Sequence, residues 1–167
     1  AGQLSSQGVL AYTAAKEYAE LDELVPISAS LNEAPLYCIL DGIEDPHNLG
    51  AILRTACASG VHAVVIRSRR AVGLTSGVAR ASAGAVEYVP VARVANIAQA
   101  VESLKASNIW VVGVESSGST DFTRIDYTSP TAIVIGSEGT GISQLVKKRC
   151  DLLASIPMRG ILKLSES

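Results

Sequence analysis

The sequence predicts an α/β domain with an open, mostly parallel sheet and helices on both of its faces. From residue 35 onward, short apolar runs alternate with helical patterns, which is typical of consecutive βαβ units. Apolar residues make up 48% of the 167 residues, and aromatic residues only 4%. Aliphatic side chains are therefore expected to form the core, as they do where helices cover a parallel sheet. A chain of this length is expected to form one domain with its own core.

Residues 1–31 are expected to form a linker or leading arm, and residues 32–167 the domain itself. The arm is polar and rich in alanine, with a weak helical pattern over 12–24 that Pro26 is expected to end. The predicted strands of the domain lie at 36–40, 63–66, 86–91, 110–114, 132–135 and 152–156. Its predicted helices lie at 49–59, 77–83, 97–106 and 142–148.

Charge and cysteine content limit which binding partners and which cellular compartment are expected for this protein. The formal net charge is −2, so any contact with nucleic acid has to be local. Cys38, Cys57 and Cys150 lie far apart without metal-ligand spacing, and the first two fall in strand and helix patterns that predict buried thiols. An odd cysteine count without a pairing pattern fits a reducing cytoplasm. No apolar run approaches membrane-spanning length. We therefore expect a cytoplasmic protein without a metal or a membrane partner.

The first candidate site is the polar loop after the strand at 36–40. Asn48 is expected to be the N-cap of the next helix, because its side chain can accept a hydrogen bond from the first turn. Arg54 follows inside that helix. Open α/β sheets bind ligands in crevices at the carboxyl ends of their strands. A plain capped turn between strand and helix would use the same residues, so the loop alone leaves both interpretations open.

The second candidate is the glycine-rich loop after the strand at 132–135. Gly136, Gly139 and Gly141 permit positive φ and close backbone approach, with Glu138 between them. The Gly-x-x-Gly-x-Gly spacing does not match the dinucleotide fingerprint, and no acidic residue follows at the distance of about 20 residues that a ribose contact needs. A nicotinamide-dependent dehydrogenase is therefore disfavoured. A tight turn with a solvated glutamate remains the structural alternative.

A third stretch, Ile156-Pro-Met-Arg-Gly160, indicates only a strand end and a turn when taken alone. In this order, however, the stretches 48–54, 135–142 and 156–160 resemble the three motifs of the SpoU (TrmH) family of RNA ribose 2′-O-methyltransferases, in the SPOUT superfamily. The resemblance extends over residues 35–160. Lesser matches lie at 71–75, 82–85 and 111–114, and residues 7–9 resemble the linker that follows a small RNA-binding domain in the ribosomal-RNA branch.

The resemblance implies a SPOUT-type α/β fold with a deep trefoil knot, an exception to the usual unknotted rule, and a pocket for S-adenosylmethionine. It places cofactor contacts at Gly136, Ser137, Gly139, Val114, Glu115, Ile156, Met158 and Leu164. It places catalysis at Arg54, Asn48 and Glu138. Because arginine stays protonated, Arg54 is interpreted as a phosphate clamp and a stabiliser of the developing alkoxide. The family also implies a homodimer of the full-length protein.

The chain departs from the family after the third motif. The family continues there as Ser-Leu-Asn-Val-Ser and a C-terminal helix, whereas this chain reads Ile161-Leu-Lys-Leu-Ser-Glu-Ser167. Leu164 matches the motif leucine if one residue is deleted, and Ser165 then replaces the asparagine. This departure from the family motif implies a catalytic domain truncated at its C-terminus, with an incomplete knot and irregular residues 161–167. It also implies that cofactor binding and dimerisation are weakened. An apolar surface is expected to be uncovered.

The leading function hypothesis is S-adenosylmethionine-dependent 2′-O-methylation of a structured RNA, with ribosomal RNA favoured over transfer RNA. The alternative is a catalytically impaired SpoU-like module that only binds RNA. RNA contact is assigned to a basic patch after the second predicted strand, formed by Arg67, Arg69 and Arg70. A solvated loop that only keeps the protein soluble would show the same residues.

Overall fold

The computed structural model describes residues 16–68 and 73–157. Over these residues the fold is the predicted α/β class, with one parallel sheet of seven strands in the order β3-β2-β1-β6-β4-β7-β5. The strands are Leu36–Asp41 (β1), Ala63–Arg67 (β2), Val91–Val94 (β3), Trp110–Val114 (β4), Thr120–Asp121 (β5), Thr131–Gly136 (β6) and Leu152–Ser155 (β7). Every strand pair runs parallel. The two-residue strand β5, which pairs with β7, was not predicted from the sequence.

The chain changes direction across the sheet at β1 and β6. Strands β1, β2 and β3 follow one another toward one edge of the sheet. Strand β4 lies on the other side of β1, and β6 lies between β1 and β4. The register places Asp41 of β1 beside Gly136 of β6, and Val114 of β4 beside Ile135. A crevice forms at such a switch point because the two connecting chains leave in opposite directions. The first two candidate loops both leave the sheet here.

Helices cover both faces of the sheet. They are Leu24–Ser30 (α1), Pro46–Ala58 (α2), Ser76–Ala81 (α3), Ile97–Ala106 (α4) and Gln144–Lys147 (α5). One core layer joins buried residues of α1, α4 and α5 to Tyr37 and Ile39 of β1. The other joins α2 and α3 to Cys38 and Leu40 of the same strand. Successive residues of β1 thus point to opposite faces, and both faces bury apolar side chains, as expected of a central parallel strand.

The predicted strand at 86–91 is wrong for most of its length. Ala83 and Gly84 both have positive φ, 51° and 86°, and this turn leads into a short 3-10 helix, Ala85–Glu87. The strand begins only at Val91, after Pro90, whose carbonyl accepts the hydrogen bond from the Val64 N–H. Ala85, Val86 and Val89 are buried, whereas Tyr88 is exposed, so the apolar pattern reflects burial of a turn rather than a strand.

The described part of the predicted leading arm packs onto the domain. Residues 16–20 are not helical, and Ala19 forms an isolated parallel bridge with Ala92 at the edge of the sheet. Pro26 does not end a helix but lies in the first turn of α1, where a missing N–H costs little. Leu24 is fully buried in the core, and the Ser28 hydroxyl lies 2.8 Å from the Tyr37 hydroxyl.

The two cysteines predicted to be buried differ in the structure. Cys38 is buried in β1, and burial raises the pKa of its thiol to about 12. Cys57 is exposed, so that prediction is wrong, because the position falls on the outer face of α2. Within residues 16–68 and 73–157, no helix has the length and apolarity to cross a membrane. The same residues contain no cluster of side chains suited to a metal ion.

Candidate functional site

Helix α2 begins three residues earlier than the sequence predicts, and its N-cap is Asp45 rather than Asn48. The Asp45 carboxylate accepts a hydrogen bond of 3.0 Å from the Asn48 N–H, and Pro46 occupies the first turn, which is a favoured position for proline. The capping role is therefore filled by Asp45. As a consequence, the exposed Asn48 side chain stands on the first turn of α2 and faces the neighbouring loop.

The glycine-rich loop after β6 is closed on itself. Ser137 and Gly141 exchange two backbone hydrogen bonds, of 3.2 and 2.9 Å, and Gly139 and Gly141 adopt φ values of 87° and 65°. A Cβ on Gly136 would lie 2.1 Å from the carbonyl carbon of Gly141, so this position has no room for a side chain. Glu138 lies exposed beside the turn.

The two loops form one open cavity of about 350 Å³. Asn48, Gly136, Ser137 and Glu138 line it together with apolar residues of the first loop and of α2, namely Ile43, Ala51 and Ile52. The structure thus brings together two of the three predicted catalytic residues and two of the predicted cofactor contacts. Arg54 does not line this cavity. It is exposed on α2 and lies one turn beyond Ala51, on the adjacent side of the helix.

Glu115, just after β4, carries a half-satisfied carboxylate. Its Oε1 accepts hydrogen bonds from Lys147 of α5 and from the Ser117 hydroxyl. Its Oε2 is buried and has no hydrogen-bond partner among the described residues. Burial raises the pKa of Glu115, but the hydrogen bonds from Lys147 and Ser117 and the charge of Lys147 lower it more, so the pKa lies below its ordinary value. At neutral pH the group is therefore a carboxylate whose buried Oε2 receives no hydrogen bond from the described residues.

The third predicted motif is described only in part. Ile156 follows β7 and is 53% exposed. Gly118, in the loop between β4 and β5, comes so close to β7 that a Cβ would lie 2.2 Å from the carbonyl carbon of Ala154. Met158 and Leu164 lie outside the described residues, as does the stretch 161–167. Of the predicted RNA patch, Arg67 is exposed at the end of β2, whereas Arg69 and Arg70 also lie outside the described residues.

Cys150 lies between α5 and β7, with its Sγ close to Gly113 of β4, but it is not suited to act as a nucleophile. Burial and the neighbouring carboxylate of Asp151, with smaller effects from Asp41 and Glu115, raise the pKa of its thiol to about 11. Lys105 opposes the shift only in part. The thiol is therefore protonated at neutral pH, and a protonated thiol is unreactive. The Cys150 Sγ–H is directed at the Val146 carbonyl, 3.4 Å away.

A second cavity, of about 360 Å³, lies next to the first one, between α2 and the central strands β1 and β6, and Ala51 and Ile52 line both cavities. Its lining is almost entirely apolar and includes Ile52, Ala56, Val61, Ile133 and Ile135. Leu36, Cys38 and Thr55 complete its floor and rim.

Sequence reasoning missed several residues that build this site. Asp45 could have been found, because an aspartate followed by proline is a common start of a helix. Lys147 could not, because it reaches Glu115 across 32 residues of sequence. Asp41 was also missed, although a charged residue at the end of the apolar run 36–40 is a visible signal.

Comparison with known proteins places these features in a family. Residues 35–163 match the model of the SpoU rRNA Methylase family. The chain is 55% identical over 154 residues to YacO of Bacillus subtilis (strain 168), which is assigned to the TrmH family of tRNA/rRNA methyltransferases. The match covers 92% of this chain and 62% of that protein. The chain therefore spans less than two thirds of the length of the curated relative.

Solved structures agree with this placement. The AdoMet-bound rRNA methyltransferase of Sinorhizobium meliloti matches with a TM-score of 0.77 and 31% identity, over 87% of this chain and 54% of that one. A protein described as an RNA 2′-O ribose methyltransferase matches with a TM-score of 0.72 and 25% identity, over 90% of this chain and 53% of that one.

Proposed function

Because this chain belongs to the SpoU rRNA methylase family, we propose that it transfers a methyl group from S-adenosylmethionine to a ribose 2′-hydroxyl of a structured RNA. The observation that carries the proposal is the cavity at the switch point, where Asn48, Glu138 and the backbone of Gly136 meet. Support for the ribose as the methylated group comes from the solved RNA 2′-O ribose methyltransferase that the chain resembles.

The residues at the ends of β4 and β6 fit the cofactor. S-adenosylmethionine carries hydroxyl, amino and ammonium donors, and the buried Glu115 Oε2 lacks a donor among the described residues. The glycine-rich loop lets a flat group approach its backbone closely, since Gly139 has open space around it. We assign binding to Gly136, Ser137, Gly139, Val114, Glu115 and Ile156, joined by Met158 and Leu164. When bound, the cofactor supplies an activated methyl group, and the protein aligns the hydroxyl with it.

Arg54 has the electrostatic role in this proposal. A ribose hydroxyl becomes a good nucleophile only as its proton leaves, here to the solvent water that reaches the open cavity, and the resulting negative charge is stabilised by a fixed cation. The exposed guanidinium of Arg54 can bind a phosphate of the RNA backbone with two parallel hydrogen bonds. In this proposal the same positive charge also stabilises the developing alkoxide. Asn48 and Glu138 then orient the hydroxyl from the two sides of the cavity.

We propose ribosomal RNA as the substrate, transfer RNA being the other candidate, and a homodimer as the assembled form in the cytoplasm. The ribosomal assignment is supported by the family model and by the S. meliloti structure. The dimer is supported by the open apolar cavity along α2, because exposed apolar surface of this kind commonly binds a partner.

Charge reversal of the basic patch tests the RNA-binding proposal. The triple variant Arg67→Glu, Arg69→Glu, Arg70→Glu is expected to weaken RNA binding and to flatten the dependence of affinity on salt, because fewer phosphate contacts release fewer counterions. Affinity is measured by fluorescence anisotropy with labelled ribosomal RNA at several salt concentrations. Arg124, which is exposed elsewhere on the domain, provides the control variant Arg124→Glu. An unchanged salt slope in the triple variant refutes the patch.

The proposed activity is tested by incubating the chain with radiolabelled S-adenosylmethionine and unmodified ribosomal RNA. We expect label in the RNA that depends on the protein and is competed by unlabelled cofactor. The alternative, an RNA-binding module without transfer, is favoured by the departure from the family motif after Gly160. It predicts that the chain binds the RNA while no label is transferred, even with cofactor in excess.

A further inference from the structure

Asp41 is a buried carboxylate that the proposed reaction does not yet use. It is the last residue of β1, is only 8% exposed, and lies beside Gly136 in the register of β1 and β6. Both candidate loops leave the sheet at this pair of residues. A buried carboxylate is costly unless hydrogen bonds satisfy it, so its partners indicate what it does.

Its Oδ2 atom accepts a hydrogen bond of 2.8 Å from the backbone N–H of Ser143, which is 102 residues away in the sequence. Ser143 is the residue that ends the glycine-rich loop and precedes α5. Hydrogen bonds to an ionised acceptor are stronger than neutral ones, and burial shields this one from competing water. The carboxylate therefore ties the far end of the glycine-rich loop to β1.

Gly42, the residue after Asp41, lies close to Ser137 at the start of the glycine-rich loop. Gly42 has a φ of 87°, and a Cβ there would lie 3.3 Å from the Ser137 Cβ. Positions 41 and 42 thus contact both ends of the glycine-rich loop, at Ser137 and Ser143. They also begin the loop that leads to Asn48. The relative placement of the two loops is therefore set at Asp41.

We propose that Asp41 is a positioning residue that locks the glycine-rich loop to the loop preceding α2, and so fixes Glu138 and the Gly136 backbone relative to Asn48. The inference rests on the proposed function and deepens it, because the distance between these two loops sets the width of the cavity that is proposed to hold cofactor and substrate. Without the lock, the loop keeps its own internal closure between Ser137 and Gly141 but loses its attachment to β1.

Two variants of Asp41 and a matched control test this role. Asp41→Ala removes the acceptor, and Asp41→Asn keeps an acceptor oxygen without the charge. Asp151 serves as the control because its Oδ2 also accepts a 2.8 Å hydrogen bond from a backbone N–H, that of Val111. That bond lies at the opposite end of β4, away from the cavity. Asp151→Ala thus removes the same kind of backbone hydrogen bond outside the site, together with the ion pair between Asp151 and Lys105.

Three measurements are compared for the full chain: the dissociation constant of S-adenosylhomocysteine by calorimetry, kcat and KM for methyl transfer, and amide hydrogen exchange at Ser143 by NMR. Asp41→Ala is expected to weaken S-adenosylhomocysteine binding about tenfold or more, as loss of a charged hydrogen bond implies, and to speed exchange at Ser143. Asp41→Asn should bind S-adenosylhomocysteine more tightly than Asp41→Ala does, and its Ser143 amide should exchange more slowly than in Asp41→Ala. Asp151→Ala should lower thermal stability and leave the dissociation constant and Ser143 exchange unchanged.

The inference is overturned if folded Asp41→Ala shows Ser143 exchange and ligand affinity like those of the unaltered chain. It is also overturned if Asp151→Ala weakens binding as much as Asp41→Ala, since the effect is then one of general stability. Should Asp41→Ala fail to fold, Asp41→Asn decides through the same three measurements. If the unaltered chain binds no ligand and transfers no methyl group, the proposed function fails. Ser143 exchange still reports on the lock in that case.

Discussion

Arg54→Ala is expected to lower the rate of methyl transfer by about a hundredfold to a thousandfold, the effect of removing one fixed stabiliser of a developing oxyanion. The fold should be unaffected, because Arg54 is exposed on α2 and surface substitutions of this kind change stability by about 0.5 kcal/mol or less. The rate is measured with saturating cofactor and ribosomal RNA, and the fold by thermal denaturation.

Arg54→Lys separates charge from geometry. We expect methyl transfer by this variant to remain slow, because an ammonium group cannot reproduce the planar, two-pronged donor of a guanidinium. Arg80→Ala is the matched control, since Arg80 is also an exposed arginine of a helix on the same face of the sheet. If Arg54→Ala retains most of the rate, or Arg80→Ala loses as much, the catalytic role of Arg54 is wrong.

Gly136→Ala is expected to abolish detectable cofactor binding. The added Cβ would lie 2.1 Å from the Gly141 carbonyl carbon and 2.3 Å from the Ile142 nitrogen, so the glycine-rich loop has to move away from β6. Forcing a methyl group into a packed position also costs about 1–3 kcal/mol of stability. Calorimetry with S-adenosylhomocysteine measures the affinity, and chemical denaturation measures the stability.

Gly77→Ala provides the comparison for that variant. Gly77 lies in α3, and the nearest atom to an added Cβ is the Thr75 hydroxyl oxygen at 3.5 Å. Alanine favours a helix over glycine by about 1 kcal/mol, so the control should be as stable as the unaltered chain or more stable, with unchanged ligand affinity. A Gly136→Ala chain that binds S-adenosylhomocysteine normally would show that the loop does not form the cofactor site.

The elements with strong local signals could be predicted from the sequence. Helix α4 spans 97–106 in both the prediction and the structure, because its apolar period is regular and Asn96 caps it through hydrogen bonds to the amides of Ala98 and Gln99. Strand β4 spans 110–114 in both as well. Parallel strands of this kind are continuous aliphatic runs and are visible without any tertiary information.

The errors arose where tertiary packing decides the local structure. Ala85, Val86 and Val89 are buried in a turn, and an apolar pattern alone does not separate a buried turn from a strand. The N-cap of α2 is an exception, because the Asp45–Pro46 step is a local signal for a helix that starts at Pro46 and favours Asp45 over Asn48. The resemblance to family motifs identified the loops of the site. The contacts that hold these loops in place, such as that of Asp41 with Ser143, join residues too distant in sequence to be predicted.

The central claim is that the methyl group goes to a ribose 2′-oxygen of RNA, and nucleoside analysis tests it most directly. Ribosomal RNA treated with the chain and isotopically labelled S-adenosylmethionine is digested to nucleosides, and mass spectrometry assigns the label to the ribose or to the base. We expect a labelled 2′-O-methylnucleoside whose initial rate of formation falls by about a hundredfold or more when Arg54→Ala replaces the unaltered chain. Label on a base, or unlabelled RNA from a chain that binds both cofactor and RNA, would contradict the account.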